Sequence, residues 1–434
     1  MKQNAKLSGI ALIAAMGVVS CSTDELQEIN AGEGISFTTQ VSRATPLTLD
    51  GLDGFYVYAD ADGYPNMFIN GMEAKKDPSS SSGIYLLDSK VTWPTGVNTI
   101  YFWAYGPLAA KDYLKASITN GSQHLQNYKV AQSVETGGAG QNDFVVTYAE
   151  AAKTPGNQVA LEFHHALSQI EIKAKLGADL EEGRRVYVKG AWLVNINSTA
   201  DLQFQKEGLD ADYHHMNWAN TANLVSYGCS HSAGSSLSQS SATTIVGNDG
   251  SNQSSLMLIP QKRDKYAFAK AAADPSSHEG ATATAETSTG AYILVLCRVE
   301  TFHNTPVTQT GADKDPAIKV EDDGQTHVHQ LFPYTYNENK EFVYQENAYG
   351  YTCVPVDIDW KPGKKYVYTL QFCGRGSGAG QYPPVIPDAL PKGDDIITTP
   401  EDGKNPGDNV LENEITFKVE VSDWTEESVD TKMD

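Results

Sequence analysis

The chain has 434 residues, of which 40% are hydrophobic and 20% are charged, a balance typical of globular domains rather than disordered tails. Its formal net charge of −22 disfavours nucleic acid and anionic lipid as partners, because both would be repelled. The length allows two or three domains of ordinary size.

The N-terminus has the features of a secretory signal peptide. Lys2 and Lys6 begin it, and an apolar run over residues 7–19 follows that is too short to span a bilayer as a helix. Residues 18–21, Val-Val-Ser-Cys, resemble the lipobox of bacterial lipoproteins, in which the cysteine receives a diacylglyceryl group. This predicts a mature chain tethered to a membrane by lipid on Cys21. The alternative is an ordinary signal peptide with a chance cysteine.

Short alternating segments dominate the rest of the sequence, and long helical periodicity is nearly absent. In residues 35–41, Ile35, Phe37, Thr39 and Val41 alternate with mostly polar residues, as in a half-buried strand. Further strands are predicted over residues 55–58, 99–105, 159–163, 170–176, 186–188, 192–196, 366–372 and 415–421. Many short strands separated by Gly, Asn, Asp and Pro predict an all-β protein built from β-sandwiches.

Two polar segments are predicted as long loops. Residues 230–255 are rich in Ser, Gly and Asn, and residues 374–413 are rich in Gly, Pro and Asp. The second segment would act as a tether, because it separates the terminal strand from the strand that ends at Phe372. We expect one sandwich in the N-terminal third and one in the remainder, with a junction near Ala166.

Four cysteines follow Cys21, namely Cys229, Cys297, Cys353 and Cys373. In an exported chain they can form disulfides, and the sequence does not choose among the three possible pairings. For Cys297 a buried thiol is an alternative, because an apolar run precedes it. The absence of a CxxC pair argues against a redox or zinc site.

Few residues have the spacing that a metal or catalytic centre requires. His327 and His329 would share one side of a strand, which can seat a metal, but hydrogen-bonded or solvent-facing histidines are the favoured interpretation. Asp60 and Asp62 resemble the start of a calcium loop, but Gly71 occupies the position of its bidentate glutamate. No G-x-S-x-G, P-loop or H-E-x-x-H motif occurs. We therefore predict no enzymatic activity, no cofactor and no metal.

Residues 42–46, Ser-Arg-Ala-Thr-Pro, directly follow the first predicted strand. Their polar, proline-flanked setting would let a trypsin-like protease cut between Arg43 and Ala44. Such a cut would separate the lipid and the first strand from the rest of the chain. The apolar groove left behind could accept a strand from another subunit. The alternative, which composition alone favours, is that Arg43 is an ordinary surface residue.

Several segments occur in an order that resembles one family. They are residues 21–25, 35–39 with 43–45, 101–107, 161–170, 364–370 and 415–424. Together they resemble the fimbrillin family of Bacteroidales bacteria, the subunits of lipoprotein-derived pili. The resemblance implies two tandem transthyretin-like β-sandwich domains, outer-membrane export, removal of the first strand by an Arg-specific protease, and polymerisation by donor-strand exchange. Asp24 and Glu25 resemble the surface-export signal of such lipoproteins.

The resemblance and the strand pattern give one domain plan. Residues 1–20 are the signal peptide, 21–43 a lipidated propeptide with the first strand, 44–166 the N-terminal sandwich, and 167–434 the C-terminal sandwich with its tether and terminal strand. The donor-strand candidates are Ile415, Phe417, Val419 and Val421. The alternative is that residues 415–421 complete the C-terminal domain of their own chain and never leave it. The expected partners are other fimbrillin-like subunits, the Arg-specific protease and the outer membrane, and the expected location is a pilus on the cell surface.

A surface glycan-binding or adhesin lipoprotein, including a pilus tip or anchor, is the alternative function. Six tryptophans are candidates for stacking on sugars: Trp93, Trp103, Trp192, Trp218, Trp360 and Trp424. Packing in the core or at sheet edges is the favoured role for these side chains. The motifs do not decide between stalk, anchor and tip.

Overall fold

The computed structural model describes residues 34–41, 52–64, 66–79, 83–178, 183–204, 216–248, 254–268, 289–304, 315–374, 376–411 and 413–424. Within these ranges the protein consists of strands, two short 3-10 helices and connecting loops, so the predicted all-β class is confirmed. No helix in the described ranges is long and apolar enough to cross a membrane. The predicted signal peptide, Cys21, Arg43 and Ala44 lie outside the described residues.

The described residues before position 166 form nine strands. They are β1 (Ser36–Val41), β2 (Gly54–Ala61), β3 (Ile69–Lys76), β4 (Ile84–Leu87), β5 (Thr99–Gly106), β6 (Lys115–Thr119), β7 (Ser122–Lys129), β8 (Val145–Ala152) and β9 (Gln158–His165). Seven of them form a closed barrel in the order β1-β4-β3-β2-β5-β8-β9. The sequence predicts a sandwich here. In the structure, the pairing of β1 with β9 joins the first strand to the last and closes the ring.

The described residues after this position form fourteen more strands. They are β10 (Ser168–Leu176), β11 (Arg184–Phe204), β12 (Met216–Ser236), β13 (Thr243–Val246), β14 (Leu256–Leu258), β15 (Lys262–Arg263), β16 (Tyr292–His303), β17 (Ile318–Val320), β18 (His327–Phe332), β19 (Tyr349–Pro355), β20 (Ile358–Asp359), β21 (Lys364–Phe372), β22 (Ile396–Ile397) and β23 (Thr416–Asp423). A five-stranded sheet has the order β13-β10-β21-β23, with β14 also on β10. A nine-stranded sheet has the order β17-β18-β16-β11-β7-β6, with β12 on β11, β19 on β16 and β22 on β19.

The five-stranded and the nine-stranded sheets share one hydrophobic core. Ile172 of β10, Val188 of β11 and Val295 of β16 belong to the same cluster of buried side chains. The barrel has a separate core centred on aromatic residues such as Phe37 and Phe102. Alternating apolar residues produce both cores, because every second side chain of a strand points to the same face.

The β6–β7 hairpin leaves the barrel and joins the nine-stranded sheet. β7 pairs antiparallel with the second half of β11, so that Thr199 lies opposite Lys129 and Leu202 lies opposite Leu125. The barrel ends at His165 and the next sheet begins at Ser168, but this hairpin carries an earlier part of the chain across that point. It covers aromatic residues on the outside of the barrel, since Tyr58 and Tyr128 belong to one buried cluster.

The segment predicted as one long loop, residues 230–255, contains the end of β12 and all of β13. The Ser, Gly and Asn residues of this region led to the prediction of a loop. The region nevertheless contributes Ile245 and Val246 to the core, and both are fully buried. Gly228 in β12 has a packing reason, because a Cβ there would lie 2.0 Å from the carbonyl oxygen of Ala191. The two strands predicted over 186–188 and 192–196 are parts of the single strand β11, with a register shift between Val188 and Gly190.

The predicted tether, residues 374–413, packs against the nine-stranded sheet in its described part. The backbones of Cys353 and Gln381 exchange two hydrogen bonds, at 2.8 and 3.1 Å, and Tyr382 and Val410 are buried. Glycine and proline here serve tight turns on the sheet surface, so their abundance does not indicate an extended spacer.

Candidate subunit interface

The strand β1 closes the barrel between β4 and β9. It runs antiparallel to β4, with Phe37 opposite Tyr85, and parallel to β9, with Phe37 opposite Val159. Ile35, Phe37 and Thr39 are only 3%, 0% and 6% exposed. The three described side chains of the predicted inward face are thus all buried.

Aromatic rings form the environment of Phe37. Its ring centroid lies 5.9 Å from that of Phe55 and 5.7 Å from that of Phe102, both in edge-to-face geometry. The ring of Phe163 on β9 lies 5.0 Å from Phe55 on the same wall. Without β1, these rings would line an apolar groove, and β4 and β9 would each present an unpaired backbone edge.

Among the described strands, β23 occupies the edge of the five-stranded sheet and pairs with β21 alone. Its residues Phe417, Val419 and Val421 lie opposite Leu370, Tyr368 and Tyr366, respectively. Opposite residues of an antiparallel pair point to the same face, which for β21 is the buried one. Yet the three β23 side chains are 37%, 36% and 57% exposed, so they form an apolar strip at the surface, called here the edge strip.

The terminal segment is anchored at its two ends. Ile415 and Trp424 are 3% and 1% exposed, and the Trp424 backbone N–H donates to the Gly363 carbonyl at 3.1 Å. The Trp424 ring stacks on His165 at 4.3 Å, and His165 Nδ1 is 2.6 Å from Asp143 Oδ2. Of the four donor-strand candidates, the structure therefore buries Ile415 and leaves the other three at the surface.

Charged side chains alternate with the edge strip along β23. Lys418 Nζ and Glu420 Oε1 form an ion pair at 2.7 Å, and both side chains are exposed. The hydrogen bond from Lys418 lowers the pKa of Glu420. Charges on a free edge oppose uncontrolled pairing with other strands. The free edge of β23 thus combines an apolar face with charged flanking residues.

The tryptophans serve packing rather than a surface. Trp93, Trp103, Trp192, Trp360 and Trp424 are each at most 5% exposed. Trp218 is half-buried and its indole N–H donates to the Ala166 carbonyl at 2.8 Å. The favoured packing role thus agrees with the structure, and none of the six tryptophan rings is exposed enough to stack on a sugar.

The four cysteines following Cys21 are buried thiols. Cys229 Sγ donates a hydrogen bond to the Ile245 carbonyl at 2.9 Å. Burial raises the pKa of Cys297 and of Cys353, because the interior disfavours a thiolate. The alternative of a buried thiol, stated for Cys297 alone, therefore describes all four residues.

The structure brings a third histidine to the predicted pair. His303 on β16 lies opposite His327, and the rings of His303, His327 and His329 are 5.1 to 5.4 Å apart between centroids. Desolvation lowers the pKa of His329, and the two neighbouring rings add to this effect. In the described part of the chain, no group of three His, Cys, Asp or Glu side chains is placed to hold a metal ion. Only the pairing of β16 with β18 reveals His303.

The fold and these two strands define an all-β protein with a strand-closed barrel and a free apolar edge. The Fimbrillin-like family matches residues 42–290, which is more than half of the chain, and the protein belongs to this family. The resemblance found in the sequence is thereby confirmed. Members of this family are structural proteins, so the chain is not an enzyme.

One solved structure agrees with this assignment at the level of fold. A crystal structure of a fimbrial protein from Bacteroides vulgatus is 14% identical to this chain, covers 91% of it and 100% of its own length, and has a TM-score of 0.51. A candidate cell adhesion protein from Parabacteroides distasonis is 10% identical, with coverages of 91% and 98% and a TM-score of 0.43. Among curated proteins none gives a significant match.

Proposed function

We propose that the chain is a non-catalytic structural subunit of a cell-surface pilus, exported as a lipoprotein through Cys21 and assembled by donor-strand exchange after cleavage between Arg43 and Ala44. The observation that carries this proposal is the contrast between two strands. β1, which directly precedes the predicted cleavage site, closes the barrel, whereas β23 presents its apolar face at a free sheet edge. Membership of the Fimbrillin-like family and the similarity in fold to a fimbrial protein support the pilus assignment.

The two strands also match in sequence. Ile35, Phe37 and Val41 of the first strand recur at the same spacing as Ile415, Phe417 and Val421. A donor strand that enters the groove in the direction of β1 would therefore offer the same apolar residue at three positions. Alternate side chains would fill the pockets while the backbone pairs with β4 and β9.

The fourth position favours the donor over the original strand. The Thr39 hydroxyl is buried and makes no hydrogen bond within the described residues. An unsatisfied buried hydroxyl costs about 1–3 kcal/mol. Val419 would take this position and has a methyl group in place of the hydroxyl. Exchange of β1 for β23 would thus remove one unfavourable burial without changing the shape of the strand.

The edge strip provides a direct test of donor-strand exchange. The double variant Val419→Lys/Val421→Lys alters two exposed apolar residues, so the monomer should keep its melting temperature, but lysines cannot enter an apolar groove. After treatment with an Arg-specific protease, the native protein should form a ladder of polymers that resists SDS, and the double variant should remain monomeric.

The matched control is Thr416→Lys/Ser422→Lys, which adds the same charge to exposed residues on the opposite face of β23. This variant should polymerise like the native protein. An unchanged ladder for Val419→Lys/Val421→Lys would refute the donor role of β23. The Arg43→Ala variant should retain β1 and remain monomeric after protease treatment.

Lipidation requires its own test, because it is independent of polymerisation. Cys21→Ala should give an unlipidated precursor or a soluble product, whereas the native chain should partition into detergent. Equal partitioning of the two proteins into the detergent phase would contradict lipidation at Cys21.

A second candidate role, that of an adhesin, is supported by a pocket in the C-terminal part of the chain.

A further inference from the structure

A pocket of about 500 Å³ opens beside the nine-stranded sheet, at the end of β18 and next to β22. Five aromatic side chains contribute to its lining: Phe332, Tyr334, Tyr336, Tyr351 and Tyr382. Its volume lies in the range of small-ligand sites, about 300–1,000 Å³. None of these tyrosines belongs to the strands that carry the assembly proposal, so the pocket requires a separate explanation.

Backbone hydrogen bonds hold both walls of the pocket. On one side the chain turns back on itself, and the Val343 N–H donates to the Thr335 carbonyl at 2.9 Å. On the other side the Tyr349 N–H donates to the Asp395 carbonyl at 2.8 Å, next to the pairing of β22 with β19. Because the walls are fixed before a ligand arrives, binding would cost little conformational entropy.

The tyrosines differ in depth. Tyr336 is 44% exposed, whereas Tyr382 is 3% exposed and packs against Phe332, with ring centroids 6.2 Å apart. The Tyr382 hydroxyl makes no hydrogen bond within the described residues, and burial raises its pKa. A buried phenol in this state gains free energy from any ligand that offers it a hydrogen-bond partner.

The charged lining residues restrict the ligand class. Asp394, Glu401 and Asp402 line the pocket together with one cation, Lys340. Glu401 is half-buried, and desolvation raises its pKa. Burial raises the pKa of Tyr334 and of Tyr336, and the negative charge of Glu401 adds to this effect. This excess of carboxylates disfavours anionic ligands such as sialylated or sulfated glycans.

We propose that this pocket binds a neutral oligosaccharide of two or three sugar units. The exposed face of Tyr336 would contact the apolar C–H face of a sugar ring. The carboxylates would accept hydrogen bonds from sugar hydroxyls, and the Tyr382 hydroxyl would donate to a ring or hydroxyl oxygen. Such binding goes beyond assembly, since it needs only the folded monomer, and failure of donor-strand exchange would leave it unaffected.

The test uses the full-length protein and a defined panel: lactose, N-acetyllactosamine, mannotriose, maltotriose and xylotriose. Each sugar is screened by saturation-transfer NMR up to about 10 mM, ten times the Kd of a millimolar site, and binders are titrated by calorimetry. At least one neutral sugar should bind. Tyr336→Ala should weaken that binding at least about tenfold through the lost aromatic contact, and Glu401→Gln should also weaken it.

Tyr64→Ala is the matched control, because Tyr64 is 42% exposed on a turn of the barrel region, away from the pocket lining. It should leave the affinity unchanged, and thermal melts should show that all three variants fold. Absence of binding across the panel would overturn the proposal, as would equal affinity of Tyr336→Ala and the native protein. Tighter binding of sialyllactose than of lactose, or displacement of the sugar by an oligolysine peptide, would instead assign the pocket to a charged ligand.

Discussion

The strands β1 and β23 carry nearly the same apolar pattern and have opposite environments. Phe37 is fully buried, whereas Phe417, at the equivalent place in the pattern, is 37% exposed. The difference comes from the number of neighbouring strands, because within the described part of the chain β1 has a strand on each side and β23 has a strand on one side. A period-two apolar pattern therefore specifies which side chains face inward, but strand pairing decides whether an interior exists there.

The largest expected effect separates the two phenylalanines. Phe37→Ala should destabilise the precursor by about 3–5 kcal/mol, because it leaves a cavity among aromatic rings. Phe417→Ala should cost about 1 kcal/mol, since much of its ring is already in water. Urea unfolding of both variants measures the difference. Equal losses would show that β23 is buried in solution and would remove the contrast between the strands.

The next effect lies within the terminal segment itself. Ile415→Ala should cost about 2 kcal/mol because Ile415 is buried, and Val421→Ala should change stability by no more than about 0.5 kcal/mol. Differential scanning calorimetry on the two single variants checks this order. A larger loss for Val421→Ala would mean that the edge strip is covered in the free subunit.

A smaller effect of opposite sign is expected at Thr39. Thr39→Val replaces a buried hydroxyl that lacks a hydrogen-bond partner, so the precursor should gain about 1 kcal/mol. If polymerisation requires the release of β1, the same variant should polymerise about fivefold more slowly after cleavage, as 1 kcal/mol implies. Chemical denaturation and the rate of ladder formation test the two parts. Ladder formation at the native rate in the stabilised variant would argue against release of β1.

The smallest expected effects compare two carboxylates. Desolvation raises the pKa of Glu401 above its ordinary 4.5, so the folded state loses stability as the pH rises through the window above 4.5. Hydrogen bonds from Lys75 and Tyr56 lower the pKa of Glu73 to about 2, so its contribution exists above 4.5 and disappears as the pH falls toward 2. Both carboxylates are partly solvated, so both effects should be small.

Melting temperatures between pH 2 and pH 7 test these signs. Relative to the native protein, Glu401→Gln should gain stability as the pH rises, while Glu73→Gln should lose it. The two variants act as controls for each other, because each removes one carboxylate without changing side-chain length. Parallel pH profiles for the two variants would contradict the assigned directions.

Much of the strand content was predictable, but the way the strands assemble was not. Residues 99–105 and 366–372 show alternation or aromatic runs, and they form β5 and β21. Closure of the barrel depends on the pairing of Thr38 with Ala160, which no local pattern announces. The prediction of a tether over residues 374–413 was wrong for its described part, since Gly and Pro are equally common in turns that pack on a sheet.

The candidate sites differ in the same way. The donor-strand residues were predictable because a strand carries its own periodic pattern. The pocket was missed because its tyrosines come from three separate segments, and one of these lies in the region predicted as a tether. Tyr336 and Tyr382 have no sequence relation that places them together. The tryptophans attracted attention by residue type, yet burial within the sheets removes them from any ligand.

The β6–β7 hairpin gives the subunit a mechanical property. It extends from the barrel half of the chain, and β7 lies along β11 from the Lys129–Thr199 pair to the His124–Gln203 pair. A pull that separates the barrel from the larger sheets along this strand direction loads these hydrogen bonds together, in shear, instead of opening them one at a time. In a fibre under tension, the hairpin would resist separation of the two halves of each subunit. This resistance would not depend on how neighbouring subunits are joined.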